Sequence, residues 1–175
     1  PWGAPLIQLL ASAEDQTDNV FRPLQAMGRH DRMAGRMRVG EEFIRLPNDG
    51  RIDVVTSSAL ARLGNPIPHA LQDETQLYTA QNKLIRVAET QRRGLAGMGG
   101  RALETTNCPD PTVDSTARRT MESKAPDVFR FHRLPPAHLD YSDADQRREI
   151  HRYVYAGSQH VLDHDGLDAI EAEAV

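Results

Sequence analysis

The chain contains a single cysteine, Cys108, among 175 residues. That excludes an internal disulfide and any zinc site built from clustered cysteines. A reducing interior suits such a chain, and the cytoplasm is the default expectation. Long apolar runs are also missing: none approaches the roughly 20 residues that cross a bilayer. No charged-then-apolar leader opens the sequence, so neither secretion nor membrane insertion is expected. A basic excess is absent as well. With a formal charge of -4, 26% charged and 39% hydrophobic residues, the composition suits a globular protein without general affinity for polyanions, so any contact with nucleic acid must be local. An initiating methionine is lacking too. Pro1 is followed almost at once by the apolar stretch 5–11, as in a chain entered mid-domain.

What is present fits about one domain, taken as residues 1–175, with a core of its own. Leu6, Ile7, Leu9 and Leu10 form a nearly continuous apolar run, which predicts a buried strand leading into a helix that runs to about Met27. Residues 28–40 are basic and glycine-spaced, with Arg29, Arg32, Arg36 and Arg38; a connection or short helix with a solvated surface is the plain expectation. Phe43 to Leu46 and Ile52 to Thr56 flank Pro47-Asn48-Asp49-Gly50, the clearest turn signal in the chain, and predict a hairpin. His69 to Gln72 and Arg101 to Thr105 are strand candidates on either side of a long helix over 79–95, with Leu84, Ile85, Val87 and Ala88 inward. This alternation predicts an α/β fold with a parallel sheet covered on both faces. Past Asn107 the prolines at 109, 111, 126, 135 and 136 predict a chain wrapping the surface. Helices are expected over 113–123, 143–154 and 166–174, with an edge strand over 129–134.

The chemistry is concentrated at two strand ends. In Pro68-His69-Ala70-Leu71-Gln72-Asp73-Glu74-Thr75, adjacent carboxylates follow a short strand, the arrangement a nucleotide hydrolase of the P-loop class uses. One acid, Asp73, would hold the Mg²⁺ bound to the phosphates, and the other, Glu74, would orient and polarise the attacking water. In parallel α/β sheets the carboxyl ends of strands face the ligand crevice. Such a pair also serves as an ordinary solvated turn or helix cap. About thirty residues later, Glu104-Thr105-Thr106-Asn107 places hydroxyl and amide groups at a second strand end, suited to sensing a γ-phosphate or its water or to capping the strand before Pro109.

In their order along the chain, Pro5 to Gln16, Ala70-Leu-Gln-Asp-Glu-Thr-Gln-Leu-Tyr78, Arg93-Gly-Leu-Ala96 and Glu104-Thr-Thr-Asn107 with Asp110-Pro111 resemble the ATPase domain of phage terminase large subunits. The resemblance is to the family of siphophages that infect actinobacteria, and it covers nearly the whole chain. It implies a P-loop NTPase sheet, with Asp73 and Glu74 as the Walker B pair and Thr105, Thr106 and Asn107 as the motif coupling hydrolysis to DNA movement. By the same resemblance, Gln16 ends the segment following the phosphate-binding helix and belongs with the nucleotide site. ATP and Mg²⁺ are the implied cofactors. Double-stranded viral DNA, the terminase small subunit, the portal protein and further copies in a ring are the implied partners, in the host cytoplasm.

The sequence departs from that family at one decisive point. No Gly-Lys-Ser/Thr occurs, the two lysines being Lys83 and Lys124, so the phosphate-binding loop is expected upstream of Pro1 and the chain is expected to be a truncated fragment without activity of its own. The family's nuclease domain is likewise expected to lie outside these residues. Two other assignments stay open: a helicase-like ATPase of the Asp-Glu box type, and an interaction module that kept the fold without the loop. His160, Asp163, His164 and Asp165 fail the ligand spacing of a calcium loop. Arg92 and Arg93 suit either a solvated helix end or an arginine finger.

Overall fold

The computed structural model describes residues 3–12, 14–33, 35–56, 65–162 and 166–173; the side chains of residues 14–18, 159 and 160 lie outside the description. The chain divides into two compact units, Pro1–Lys124 and Ala125–Val175.

The first unit is built on a mixed, mostly parallel six-stranded sheet. Strand β1 (Leu6–Leu10) leads to helix α1 (Glu14–Arg29), then to the short β2 (Arg38–Val39), β3 (Phe43–Arg45) and β4 (Arg51–Val55). Strand β5 (His69–Gln72), helix α2 (Leu84–Ala96), strand β6 (Arg101–Glu104) and helix α3 (Thr116–Glu122) follow. The spatial order is β2-β3-β4-β1-β5-β6. β4, β1, β5 and β6 run parallel, while β2 and β3 run antiparallel to their neighbours. The hairpin forms where Pro47-Asn48-Asp49-Gly50 signalled it. Asn48 and Asp49 both adopt positive φ there, at 63° and 61°, a conformation Asn and Asp tolerate better than other side-chain-bearing residues.

Both faces of the sheet are packed. Leu9 and Ile44 meet Phe21 of α1 on one face, with Val39, Ile52 and Val54 beside them. On the other, Leu10 and Val55 meet Leu84, Val87 and Ala88 of α2 together with Tyr78. Each fully buried Leu, Ile or Val stabilises the fold by roughly 1.5–3 kcal/mol, so these clusters are what hold the strand ends in place. Helix α2 starts at Leu84, five residues later than its apolar pattern implied. Asn82 Oδ1 accepts from the N–H groups of Thr79 and Leu84, and Lys83 adopts a left-handed conformation (φ 65°), so the residues before 84 form a capped turn.

The second unit carries α4 (Ala144–Val154), α5 (Gln159–Leu162) and α6 (Gly166–Glu173). Asp143 caps α4, accepting from the Gln146 N–H. The edge strand expected over 129–134 does not form. Pro135 and Pro136 supply no N–H to a ladder, and the alternating Phe129 and Phe131 stay exposed. No helix among the described residues is long and apolar enough to cross a membrane.

Candidate functional site

The site lies at the carboxyl ends of β5 and β6, which are parallel neighbours in the register Gln72↔Glu104. Hydrogen bonding continues one step past the strands: the Asp73 N–H reaches Leu10 C=O at 3.0 Å and the Thr105 N–H reaches Gln72 C=O at 2.9 Å. At Glu74 the chain turns sharply into a left-handed conformation (φ 54°, ψ 48°), opening the 3-10 turn Thr75–Leu77. A left-handed residue other than glycine costs about 1–2 kcal/mol. The surroundings hold it there. Tyr78, fully buried, donates its phenol to Leu10 C=O at 2.6 Å, and its own C=O accepts from the Thr116 N–H. Burial, with the nearby Asp73 charge adding to it, pushes the Tyr78 phenol far above its ordinary range and keeps it a donor.

The two acidic and hydroxyl-bearing segments are stitched together. Thr105 Oγ1 donates to Asp73 Oδ1 at 2.5 Å, and Thr75 Oγ1 donates to Glu104 Oε1 at 2.5 Å. The Thr75 N–H reaches Thr105 C=O at 3.3 Å. Thr106 Oγ1 accepts from the Gln76 N–H and donates to Gln76 Oε1 at 2.8 Å, while the Asn107 N–H reaches the same oxygen at 3.3 Å. Among the described residues Glu74 Oε2 is buried without a hydrogen-bond partner. A buried carboxylate oxygen left unpaired costs more than about 1–3 kcal/mol, and such groups recur where a reaction partner is meant to arrive.

The structure therefore brings Asp73, Glu74, Thr105, Thr106 and Asn107 to one sheet edge. Gln16 lies on the backbone of α1, and its side chain is outside the described residues. The His160 side chain and residues Asp163, His164 and Asp165 are outside them too. Among the described residues no three His, Cys, Asp or Glu side chains form a metal cage.

Sequence reasoning missed a buried polar relay beneath this edge. Gln91 Nε2 donates to Gln8 Oε1 at 3.3 Å and Gln72 Nε2 to Gln91 Oε1 at 3.0 Å, all three side chains being buried. Arg92 donates to Gln72 Oε1 and pairs with Glu104 Oε2 at 2.7 Å, where the Thr120 hydroxyl also donates. Arg92 is neither a solvated helix end nor a free finger; it ties α2 to β5 and β6. Arg93 is exposed and donates to Thr90. Glutamines among apolar neighbours in β1 and β5 were the available signal, because a buried amide requires a partner.

No family model and no curated protein matches the chain. Among solved structures, it is similar to the ATPase domain of the large terminase of Thermus phage P74-26, with a TM-score of 0.46 and 14% identity over 62% of this chain. The match takes in 49% of that structure's length. So partial an overlap carries no weight beside the geometry of the strand ends.

Proposed function

We propose that this chain is part of the ATP-hydrolysing motor of a phage terminase, with Asp73 and Glu74 as its hydrolytic carboxylates and Thr105, Thr106 and Asn107 as its coupling segment. The observation that carries the proposal is the site's construction: two acids at the end of a parallel strand, the first bound to a hydroxyl from the neighbouring strand end, the second held in a strained turn with a buried oxygen unpaired. Strain and unsatisfied polarity at a sheet's carboxyl edge are the usual marks of a reaction centre.

In this mechanism Glu74 would accept a hydrogen bond from the attacking water and orient it, while Asp73 would hold Mg²⁺. When bound, the ion would supply charge neutralisation for the phosphates. Thr105, bound to Asp73, and Thr106 with Asn107, bound to Gln76, report the occupancy of the site to β6. No Gly-Lys-Ser/Thr loop occurs in the sequence, and on this reading the phosphate cradle would come from outside these residues. The outer edge of β6 has no strand partner among the described residues, and Leu103 on it is 60% exposed; a phosphate-binding strand belonging to a longer form of the protein would pair there. Duplex viral DNA, the small subunit, the portal and further copies in a ring would be the partners, in the host cytoplasm.

The test uses the full-length protein. Glu74→Gln removes hydrolysis and leaves nucleotide binding largely intact, because the water-orienting acid acts mainly in the transition state. Asp73→Ala weakens Mg²⁺-nucleotide binding as well. Equal loss of binding in both variants contradicts the division of labour. Steady hydrolysis by the isolated chain, abolished by Glu74→Gln, contradicts a cradle supplied from outside it.

A further inference from the structure

Arg147 and His151 stand four residues apart on α4, so they share one face of that helix. Glu171 of α6 meets both. Arg147 Nε donates to Glu171 Oε2 at 3.1 Å, and His151 Nδ1 lies 2.5 Å from Oε1. On its other side His151 Nε2 is 3.1 Å from the Tyr141 hydroxyl, the two rings meeting edge to face at 71°. His151 is buried, whereas Tyr141 is 49% exposed. A phenol open to solvent thus rests on a sheltered imidazole, which backs onto a carboxylate.

Nucleophile, base and orienting acid in that order are what activate a weak nucleophile. The turn that carries Tyr141 is fixed: Asp140 Oδ1 accepts from the N–H and the hydroxyl of Ser142, the Asp140 N–H donates to Gln146 Oε1, and Arg147 Nη1 donates to Tyr141 C=O. Burial raises the Glu171 pKa, but Arg147 and His151 outweigh it, so the carboxylate is charged at neutral pH. A second observation marks the cluster. Among the described residues three buried side-chain atoms lack a hydrogen-bond partner: Glu74 Oε2 at the strand ends, and here His151 Nδ1 and Glu171 Oε1. Buried orphans of this kind call for a role beyond packing, and catalytic contacts are commonly misaligned until charge develops on the base.

We propose that Tyr141, with His151 as its general base, accepts an acyl group from an activated ester or thioester. Tyr141 Oη attacks the acyl carbon and gives its proton to His151 Nε2. The new O–C bond forms as the bond from that carbon to the leaving oxygen or sulfur breaks, and the electron pair departs with the leaving group. The imidazolium then releases its proton to solvent. Glu171 is a positioning residue, its charge stabilising the imidazolium from the far side of the ring. A neutral acyl donor fits better than a phosphoryl donor: Arg147 and Arg148 already bind Glu171 and Asp168, so these two are not free to clamp a phosphate. The inference uses no residue of the strand-end site and stands or falls apart from any hydrolytic role there.

The experiment treats the 175-residue chain with p-nitrophenyl acetate and follows acetylation of individual tyrosines by peptide mass spectrometry. Tyr153, also 49% exposed and outside these contacts, is the internal control. At about pH 8, where free imidazole is mostly neutral, Tyr141 is acetylated at least about tenfold faster than Tyr153, a floor for general-base assistance. In urea the two react alike. His151→Gln removes the advantage, and Glu171→Gln reduces it several-fold. Base assistance also makes the Tyr141 rate level off above neutral pH, whereas Tyr153, and Tyr141 in His151→Gln, climb toward the ordinary phenol value near 10. Three results would overturn the inference: equal acetylation of the two tyrosines in the native chain, an advantage of Tyr141 that survives His151→Gln with helical circular dichroism intact, or a wild-type Tyr141 rate that climbs with pH in parallel with Tyr153. The first and last need no variant, so they decide the matter even if His151→Gln unfolds.

Discussion

Thr105 and Asp73, thirty-two residues apart in the chain, share a 2.5 Å hydrogen bond across the ends of two parallel strands. The bond fixes the first acid of the Asp-Glu pair against the hydroxyl-rich segment. A hydrogen bond to a charged acceptor contributes about 1.5–3 kcal/mol when sheltered, and this one is exposed, so Thr105→Val should cost about 1 kcal/mol in urea unfolding. Thr105→Ser, which keeps the hydroxyl, should cost less. Equal losses in the two variants would mean that the methyl group, not the hydroxyl, is what matters.

Glu74 presents the opposite case, a residue whose conformation works against stability. Asn tolerates the left-handed region better and removes the buried unpaired carboxylate oxygen. Glu74→Asn should therefore raise stability by about 1 kcal/mol while removing hydrolysis in the full-length protein. A lower urea midpoint would show that the turn is not strained.

The Arg92–Glu104 pair is half-sheltered, with side-chain exposures of 37% and 13%. Arg92→Ala strips donors from both Gln72 and Glu104, and the cost should be about 2 kcal/mol, below the 3–5 kcal/mol typical of a fully buried broken pair. A double-mutant cycle with Glu104→Ala should give a coupling near 1 kcal/mol. Strict additivity would mean that the pair does not help to hold β6.

Gly100 sits where β6 leaves the α2 turn, and a Cβ there would lie 2.6 Å from Pro68 O and 2.8 Å from Ile67 O. Both contacts are backbone, which cannot swing aside. Gly100→Ala should destabilise by about 1–3 kcal/mol through overpacking, read as a fall in the urea midpoint with the m-value unchanged. An unchanged midpoint would mean that the two backbones have room to separate.

In the second unit, Glu171 of α6 faces α4. Burial raises its carboxyl pKa, but Arg147 and His151 outweigh burial and leave it below the ordinary value. Arg147 Nε donates to Oε2 at 3.1 Å, and His151 Nδ1 lies 2.5 Å from Oε1 without the alignment of a hydrogen bond. The Tyr141 hydroxyl meets the other ring nitrogen of His151, and Arg148 pairs with Asp168 alongside. A lowered folded pKa gives stability that is complete above the unfolded value near 4.3 and is lost as pH falls through the folded value. Acid titration followed by circular dichroism should show helix lost below about pH 4.3 in the wild type, with a weaker acid dependence in Glu171→Gln. Identical acid profiles would exclude Glu171 as the titrating group.

Local signals were enough for most of the first unit. The apolar run at Leu6 to Leu10, the Pro-Asn-Asp-Gly turn and the helical pattern from Leu84 each rest on side-chain periodicity or turn chemistry within a few residues, which a linear sequence displays directly. The adjacency of Asp73 and Glu74 was legible for the same reason. What tertiary structure decided was every relation across strands. Parallel pairing of β5 with β6 set Thr105 against Asp73; the packing of α2 turned Arg92 inward onto Gln72 and Glu104; and the packing of α6 on α4 brought Glu171 to His151. The segment 129–134 shows the converse, since an alternating pattern yields a strand only where a neighbouring edge supplies hydrogen-bond partners. Sequence set the chemistry available at each position, and long-range pairing, which has no local signature, determined which of those groups meet.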